Sequence, residues 1–311
     1  MSLFPSEPIY DKTGTKSETI NHNDFKQATE KEKNKILYEM AKKHYEDGLL
    51  KPFNFFFPGY SFEELFKDKT VLDLGCFCGG KAVAFAEKWN VKNMYGIDVN
   101  KYFITSAQQF SSGRNNKNIN YHFDVGYGEQ LPYKDKFFDA IITNDVLEHV
   151  QSIKTTLQEC KRIMKPNGKL YAVFPSYYLP FDGAHLAFVT KTPCIQWFFK
   201  PETLNQAFNE IIESRGDNAY WYRHKKINDN TWEQLIGGIG INGITFGQYK
   251  TLVNEIGFSK TEFLRIPLLA VSNVSVKYPQ IKYIVNILKP LLAIDKFQDY
   301  LSHRIVSVST V

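Results

Sequence analysis

The feature that most constrains this chain is a run of short apolar stretches alternating with helical segments. Thr70–Leu74 precedes a helical pattern at Lys81–Trp89, Asn93–Ile97 precedes Lys101–Phe110, and Ile119–Phe123 follows. Phe138–Thr143 then precedes Ser152–Met164, before a last apolar run at Lys169–Phe174. Strands that alternate with helices in this way are joined as parallel neighbours by right-handed crossovers, which predicts a doubly wound α/β sheet with helices on both faces.

The flanks divide the chain of 311 residues into four expected parts. Residues 1–60 hold a polar segment and a leading helix over Asp24–Asp47, with Leu37, Met40, Ala41 and Tyr45 at helical spacing, Asn23 or Asp24 as N-cap and Gly48 as its stop. The aromatic run Phe53–Tyr60, broken by Pro58 and Gly59, reads as an irregular connection packed on the core. Residues 61–175 form that core, and 176–244, with Trp197, Trp221 and Trp232 but no strand rhythm, read as an aromatic-rich cap inserted over the site. Residues 245–311 supply a helix at Thr245–Ile256, ended by Gly257, and two strands at Phe258–Ile266 and Arg304–Val308. The sheet expected is therefore mostly parallel and seven-stranded.

Bulk properties exclude several classes. The 38 basic and 33 acidic side chains are scattered rather than blocked, which does not favour nucleic acid as a partner. The four cysteines, Cys76, Cys78, Cys160 and Cys194, lack zinc-site spacing, so no metal is expected, and free thiols fit a reducing compartment. Met1–Asp24 has no signal-peptide core, and no window approaches the roughly 18 apolar residues of a spanning helix, so a cytoplasmic location is expected. Ile281–Phe297 carries Lys282, Lys289 and Lys296 among its apolar residues; it reads as a buried amphipathic helix interrupted at Pro290, with membrane-surface association as the other reading.

Ligands of doubly wound sheets sit beyond the carboxyl ends of the strands, where strand order reverses. The first strand here ends in Asp73-Leu74-Gly75, followed by Cys76-Phe77-Cys78-Gly79-Gly80. Glycines at that bend let a ligand and the next helix approach the backbone closely. Asp73 would repel a pyrophosphate but suits an ammonium group, and glycines at 75, 79 and 80 do not make the Gly-x-Gly-x-x-Gly of dinucleotide binders. Both points disfavour a nicotinamide cofactor. Asp98 ends the second strand, where a carboxylate can accept both hydroxyl protons of a ribose.

This segment resembles the Asp-x-Gly-x-Gly-x-Gly motif of class I, Rossmann-like S-adenosylmethionine-dependent methyltransferases, of the kind with a type-11-like methyltransferase domain. The likeness runs from Val71 to Phe174. Gly126-Tyr127-Gly128-Glu129-Gln130-Leu131-Pro132-Tyr133 is similar to the family's Gly-Asp-Gly-Glu-x-Leu-Pro-Phe, and Asp145-Val146-Leu147-Glu148-His149-Val150 to its Glu-Val-Leu-Glu-His-Val. The resemblance implies S-adenosylmethionine as cofactor and S-adenosylhomocysteine as product. It implies that Asp73, Gly75 and Gly79 line the methionine end, that Asp98 holds the ribose, and that Cys76, Phe77 and Val99 also belong to the cofactor site. It further implies Tyr127, Gly128 and Glu129 at the adenine, Asn144 and Asp145 beside the methionine moiety, and His149 near the reaction chamber. Two positions depart from the pattern: Phe77 stands where the middle glycine belongs, its ring able to cover the cofactor instead, and Tyr127 stands where Asp is common. Singly, Asp98 reads equally as a helix cap and His149 as a satisfied histidine at a helix start.

The expected chemistry is methyl transfer by in-line displacement, in which orientation contributes most and a base is needed for a hydroxyl acceptor. Gly183-Ala184-His185-Leu186 resembles a Gly-x-His-Leu segment of related enzymes, which nominates His185 as general base, with Tyr177 and Tyr178 shaping the acceptor pocket. The competing reading has His185 bonded to a neighbouring carbonyl. The fourth-strand segment Thr143-Asn144-Asp145-Val146 is unlike the Asn/Asp-Pro-Pro-Tyr run of nucleic-acid N-methyltransferases, so a small-molecule acceptor is expected, a sugar, lipid-linked or secondary metabolite. A non-catalytic binding protein of the same fold and a nicotinamide oxidoreductase are the alternatives.

Overall fold

The computed structural model describes residues 28–50, 53–114, 118–180, 190, 192, 194–214, 241–267, 280, 283, 286–287 and 289–311. The elements, in chain order, are α1 (Glu30–Leu50), α2 (Phe62–Phe66), β1 (Thr70–Leu74), α3 (Gly80–Lys88), β2 (Asn93–Asp98), α4 (Lys101–Ser112), β3 (Asn120–Val125) and β4 (Phe138–Asn144). There follow α5 (Ile153–Ile163), β5 (Met164–Phe174), α6 (Pro201–Ser214), α7 (Phe246–Ile256), β6 (Lys260–Leu264), α8 (Asp295–Leu301) and β7 (Ile305–Thr310). The strands form one seven-stranded sheet in the order β3-β2-β1-β4-β5-β7-β6. The first five are parallel and β7 runs antiparallel between β5 and β6, so the expected doubly wound, mostly parallel sheet is what the chain forms. β1 and β4 are neighbours although two strands separate them in sequence, which places the reversal of strand order between their carboxyl ends.

Strand residues alternate between two cores, as a period of two requires. Val71, Tyr171 and Val173 face the side covered by α1 to α4, whereas Leu72, Leu74, Leu170, Ala172 and Phe174 face α5 and α7. The run Phe53–Tyr60 begins with a 3-10 turn, and with α2 it supports Tyr171 by edge-on contacts from Phe57, Tyr60, Phe62 and Phe66. On the other face the Tyr249 hydroxyl shares a 2.9 Å hydrogen bond with Ser307, which satisfies two buried polar groups at once.

Three local expectations need correcting. Helix α1 does not stop at Gly48 but runs to Leu50, because Gly48 is buried where a Cβ would lie 2.9 Å from that of Ala84: the glycine serves close helix approach, not termination. Its first turn is capped by Thr29, whose hydroxyl accepts from the Glu32 amide while Glu32 accepts from the Thr29 amide; Asn23 and Asp24 lie outside the described residues. Within Ile281–Phe297, the expected interruption at Pro290 is present, but the described part is not buried throughout. Lys289–Ala293 forms a 3-10 turn, α8 starts anew at Asp295, and Tyr283, Ile287 and Ile294 are exposed while Leu292 is buried. No helix among the described residues is long and apolar enough to cross a membrane.

Candidate functional site

The carboxyl end of β1 leads into the glycine loop, which is bonded to the end of β2: the amides of Gly75 and Cys76 both donate to the Ile97 carbonyl, at 2.9 and 3.0 Å. Gly75 and Gly79 have φ of +79° and +75°, the region that disfavours a Cβ. Both are also crowded, since a Cβ on Gly75 would lie 2.2 Å from Val146 and one on Gly79 2.5 Å from Ala107. The Gly75–Val146 contact presses the loop after β1 against the loop after β4.

Phe77 occupies the middle glycine's place and takes a glycine-like conformation, φ +52°. A bulky residue there costs about 1–2 kcal/mol, and the surroundings offset it. The Phe77 amide donates to Asp98 Oδ2 at 3.1 Å, and the ring stacks on His44 of α1 (centroids 5.1 Å apart) and tilts against Phe103 of α4 (4.2 Å). The ring is thus built into the seam between α1 and α4. Burial, with Lys81 close by, lowers the His44 pKa to about 4, so the imidazole against Phe77 is neutral near pH 7.

Helix α1 is fixed over this loop by two further features. Gly80 opens α3 with its Cα against α1, so that a Cβ would lie 2.0 Å from the Ala41 carbonyl oxygen. Arg114 donates to both carboxylate oxygens of Glu87 on α3 (2.9 and 2.8 Å) and to the hydroxyl of Tyr45 on α1 (2.7 Å), while Tyr45 donates to Glu87 at 2.6 Å. Residues ahead of the sheet thereby become part of the site's wall.

Two acids frame the loop. Asp73 is buried at the carboxyl end of β1, and burial, with the repulsion of Asp98 and against the pull of Lys81, raises its pKa to about 7. Asp98 accepts the Phe77 amide on one oxygen and the Asn100 amide, at 3.0 Å, on the other. Burial raises its pKa in spite of these bonds. A buried carboxyl poised near neutrality beside an anchored acid at the next strand's end suits a ligand with an ammonium group at one point and a vicinal diol at another.

The remaining expected residues fall into distinct groups. Cys76 and Cys78 are buried, and burial pushes both thiols up, so they act as packing rather than as nucleophiles. Val99 and Tyr127 are exposed on the rim. Gly128 faces α5, where a Cβ would lie 3.0 Å from Thr156. Glu129 accepts the amides of Gln151 and Ser152 (2.7 and 3.2 Å), tying its loop to the start of α5. Asn144 ends β4 and donates to Asp145 at 3.0 Å; Asp145 (φ +55°) pairs with Arg304 at 3.3 Å. A broad groove of about 680 Å³ lies elsewhere, along β2 and β3 between Tyr95, His122 and Tyr133, and includes none of the glycine-loop residues.

At the ends of β4 and β5, Glu148 lines a small cavity with Tyr177, its Oε1 lies 3.9 Å from His149 Nε2, and the charge of Arg304 acts on it; the sequence nominated neither Glu148 nor Arg304. Tyr177 follows β5, is buried, and burial beside Tyr178 raises its pKa to about 12. The loop after β4 is clamped from across the chain: the Asn242 side chain donates to the carbonyls of Leu147 and Val150 (2.7 and 2.9 Å), and its amide donates to that of Glu148 at 2.7 Å. Arg304 could have been noticed only through tertiary placement, since 159 residues separate it from Asp145. His185 lies outside the described residues, as do Trp221 and Trp232.

Residues 72–172 match a family described as "Methyltransferase domain". Over 104 residues the chain is 32% identical to norajmaline N-methyltransferase of Rauvolfia serpentina, covering 33% of this chain and 35% of that protein. Over 115 residues it is 30% identical to the methyltransferase YcgJ of Bacillus subtilis, covering 37% and 43%. The chain thus spans well under half the length of these two relatives. Among solved structures, a methyltransferase in complex with the Haloferax volcanii Trm112 methyltransferase activator aligns over 90% of this chain and 97% of that chain, with a TM-score of 0.51 and 14% identity, which shows a shared fold. Together with the strand order and the glycine loop, these likenesses identify residues 72–172 as a domain of the class I, Rossmann-like S-adenosylmethionine-dependent methyltransferase family.

Proposed function

We propose that this chain is an S-adenosylmethionine-dependent methyltransferase that transfers a methyl group by in-line displacement to an oxygen or nitrogen of a small molecule, such as a sugar, a lipid-linked intermediate or a secondary metabolite. The observation that carries the reading is the pair Asp73 and Asp98 at the ends of β1 and β2, with the glycine loop anchored between them. In this reading Asp73 holds the ammonium of the methionine moiety, Asp98 the ribose hydroxyls, and the Val99 and Tyr127 rim the adenosine end. The bound cofactor supplies an electrophilic methyl carbon on a sulfonium. The protein's part is to hold the acceptor in line with it, exclude water and receive a proton where one is released.

In this reading the acceptor enters beyond the ends of β4 and β5, beside Tyr177, and the segment 176–244, of which 181–189, 191, 193 and 215–240 lie outside the described residues, is its cap. Small-molecule chemistry is favoured by the aromatic wall there: Tyr177 meets Tyr178 edge-on at 5.1 Å, Tyr178 stacks on Tyr300 at 5.3 Å, and Trp197 closes on Tyr300 at 5.2 Å. Four free thiols accord with a reducing, cytoplasmic setting. Incubation with methyl-tritiated S-adenosylmethionine and a panel of hydroxylated and amine metabolites tests the reading: label passes to at least one acceptor, and Tyr177→Ala raises its KM by about tenfold through the lost aromatic contact. Tight cofactor binding without transfer to any acceptor would instead favour a non-catalytic binding protein.

A further inference from the structure

Glu148 is, among the described residues, the one carboxyl group with both oxygens buried and neither hydrogen-bonded to another residue. Such a group is expensive to keep, and proteins seldom keep one without a use for it. Its position suggests the use. Glu148 sits on the loop after β4, whose Val146 presses on Gly75, and it lines a small cavity with Ser176 and Tyr177, from the end of β5, and with Ile241, Gly243 and Ile244. Ser176 is turned away from it, donating to Asp299 at 2.5 Å. The charged and titratable neighbours are few. On its own loop are Asp145 and His149, whose Nε2 lies 3.9 Å from Glu148 Oε1; Tyr177 comes from beyond β5 and Arg304 from ahead of β7.

We propose that Glu148 is the catalytic base of this site, receiving the proton of an acceptor O–H or N–H as the methyl group is transferred. The inference rests on the methyltransferase reading above. In the step Glu148, which acts only in the ionised form whose share grows as pH rises, takes the proton, the lone pair so freed forms the new bond to the methyl carbon, and the carbon–sulfur bond breaks with its electrons left on sulfur. Glu148 returns the proton to water once the products leave. The base must hold a proton tightly enough to attract it from a hydroxyl or an ammonium, and burial together with Asp145 raises the Glu148 pKa well above the ordinary carboxylate range, while Arg304 opposes this. A site with Asp145 and Glu148 at its acceptor end also disfavours an anionic group at the reacting atom. The acceptor class is therefore a neutral or cationic protic nucleophile.

Glu148→Gln keeps the shape and removes the titration, and its first readout needs no acceptor. A carboxyl whose folded pKa is raised weakens the fold progressively as pH climbs above its unfolded value, near 4.5. Thermal unfolding from pH 5 to 9 should thus show the Gln variant several degrees more stable than the parent at pH 8, with the gap closing towards pH 5. Calorimetric affinity for S-adenosylhomocysteine should stay within about twofold. With the tritium panel, Glu148→Gln should lose about 100-fold or more in kcat, and Glu148→Asp should keep part of the rate with a displaced pH profile. Parallel unfolding profiles overturn the proposal, as does Gln-variant turnover within threefold of the parent. A parent that methylates none of the protic panel overturns it as well. Failure of the parent to bind S-adenosylhomocysteine would overturn the methyltransferase reading instead, and is read separately.

Discussion

Replacing Asp73 with Asn should lower the affinity for S-adenosylhomocysteine by about 100-fold, because a charge-assisted bond to an ammonium is worth roughly 1.5–3 kcal/mol and the variant leaves that ammonium unpaired. The same change should stabilise the empty protein. The folded pKa of Asp73 is raised to about 7 from 3.8 by burial, so ionisation penalises the fold increasingly from pH 4 to pH 7. At 1.36 kcal/mol per unit that penalty has a ceiling of about 4 kcal/mol, fully developed above pH 7 and absent below pH 4. Asn escapes it. Thermal unfolding at pH 8 should find the variant more stable than the parent, and at pH 4 the difference should vanish. Loss of affinity without a pH-dependent gain in stability would mean that Asp73 is ionised at no cost in the empty protein.

Gly80→Ala should have the largest effect on the fold itself. Gly80 needs no unusual φ, so the effect is steric: the added Cβ would meet the Ala41 carbonyl oxygen at 2.0 Å and the Tyr45 amide nitrogen at 2.8 Å, both backbone atoms of α1. Neither can yield without displacing the helix. Overpacking of this kind costs about 3 kcal/mol or more, and moving α1 also removes His44 from Phe77. Weakened cofactor binding should therefore accompany the loss of stability. Gly247→Ala, in the first turn of α7 with nothing within 4 Å of its Cβ, is the control and should be neutral or slightly stabilising. Denaturant unfolding of the pair measures both. A Gly80→Ala protein as stable as the parent would show that α1 is not held against α3 as described.

The contrast between those two glycines explains what could and could not be seen in the sequence. Periodicity set out the sheet because strand faces alternate locally: Val71 and Leu72 take opposite cores through the pleat alone. The acids at the ends of β1 and β2 were legible for a similar reason, since position at a strand's carboxyl end is itself a functional coordinate. Gly48 looked like a helix stop and Gly80 like part of a ligand loop. Their role is tertiary, the near contact of α1 with α3, and spacing along one chain does not encode the distance between two helices. Phe77 shows the same limit. Its conformation depends on His44, 33 residues earlier, and on Phe103, 26 residues later.

The ends of β4 and β5 were least legible. Glu148 lay inside a motif read for its histidine, and its distinguishing property, two buried oxygens without a partner on another residue, exists only once β5 and the 241–244 segment close around it. Arg304 was placed at the start of a strand without chemistry, yet that strand's antiparallel insertion beside β5 is what brings it to Asp145. The reading of Glu129 as an adenine neighbour has a concrete competitor in its two bonds to the start of α5.

Isothermal calorimetry of the purified chain with S-adenosylhomocysteine and with NAD tests the central claim most directly. The account predicts saturable binding of S-adenosylhomocysteine and none of NAD. It also predicts that at pH 6.5, in two buffers of different ionisation enthalpy, binding releases a proton, because the ligand's ammonium favours ionised Asp73, whose pKa in the empty site is about 7. At pH 8.5 that release should be absent. Binding of NAD in place of S-adenosylhomocysteine, or of neither, would contradict it.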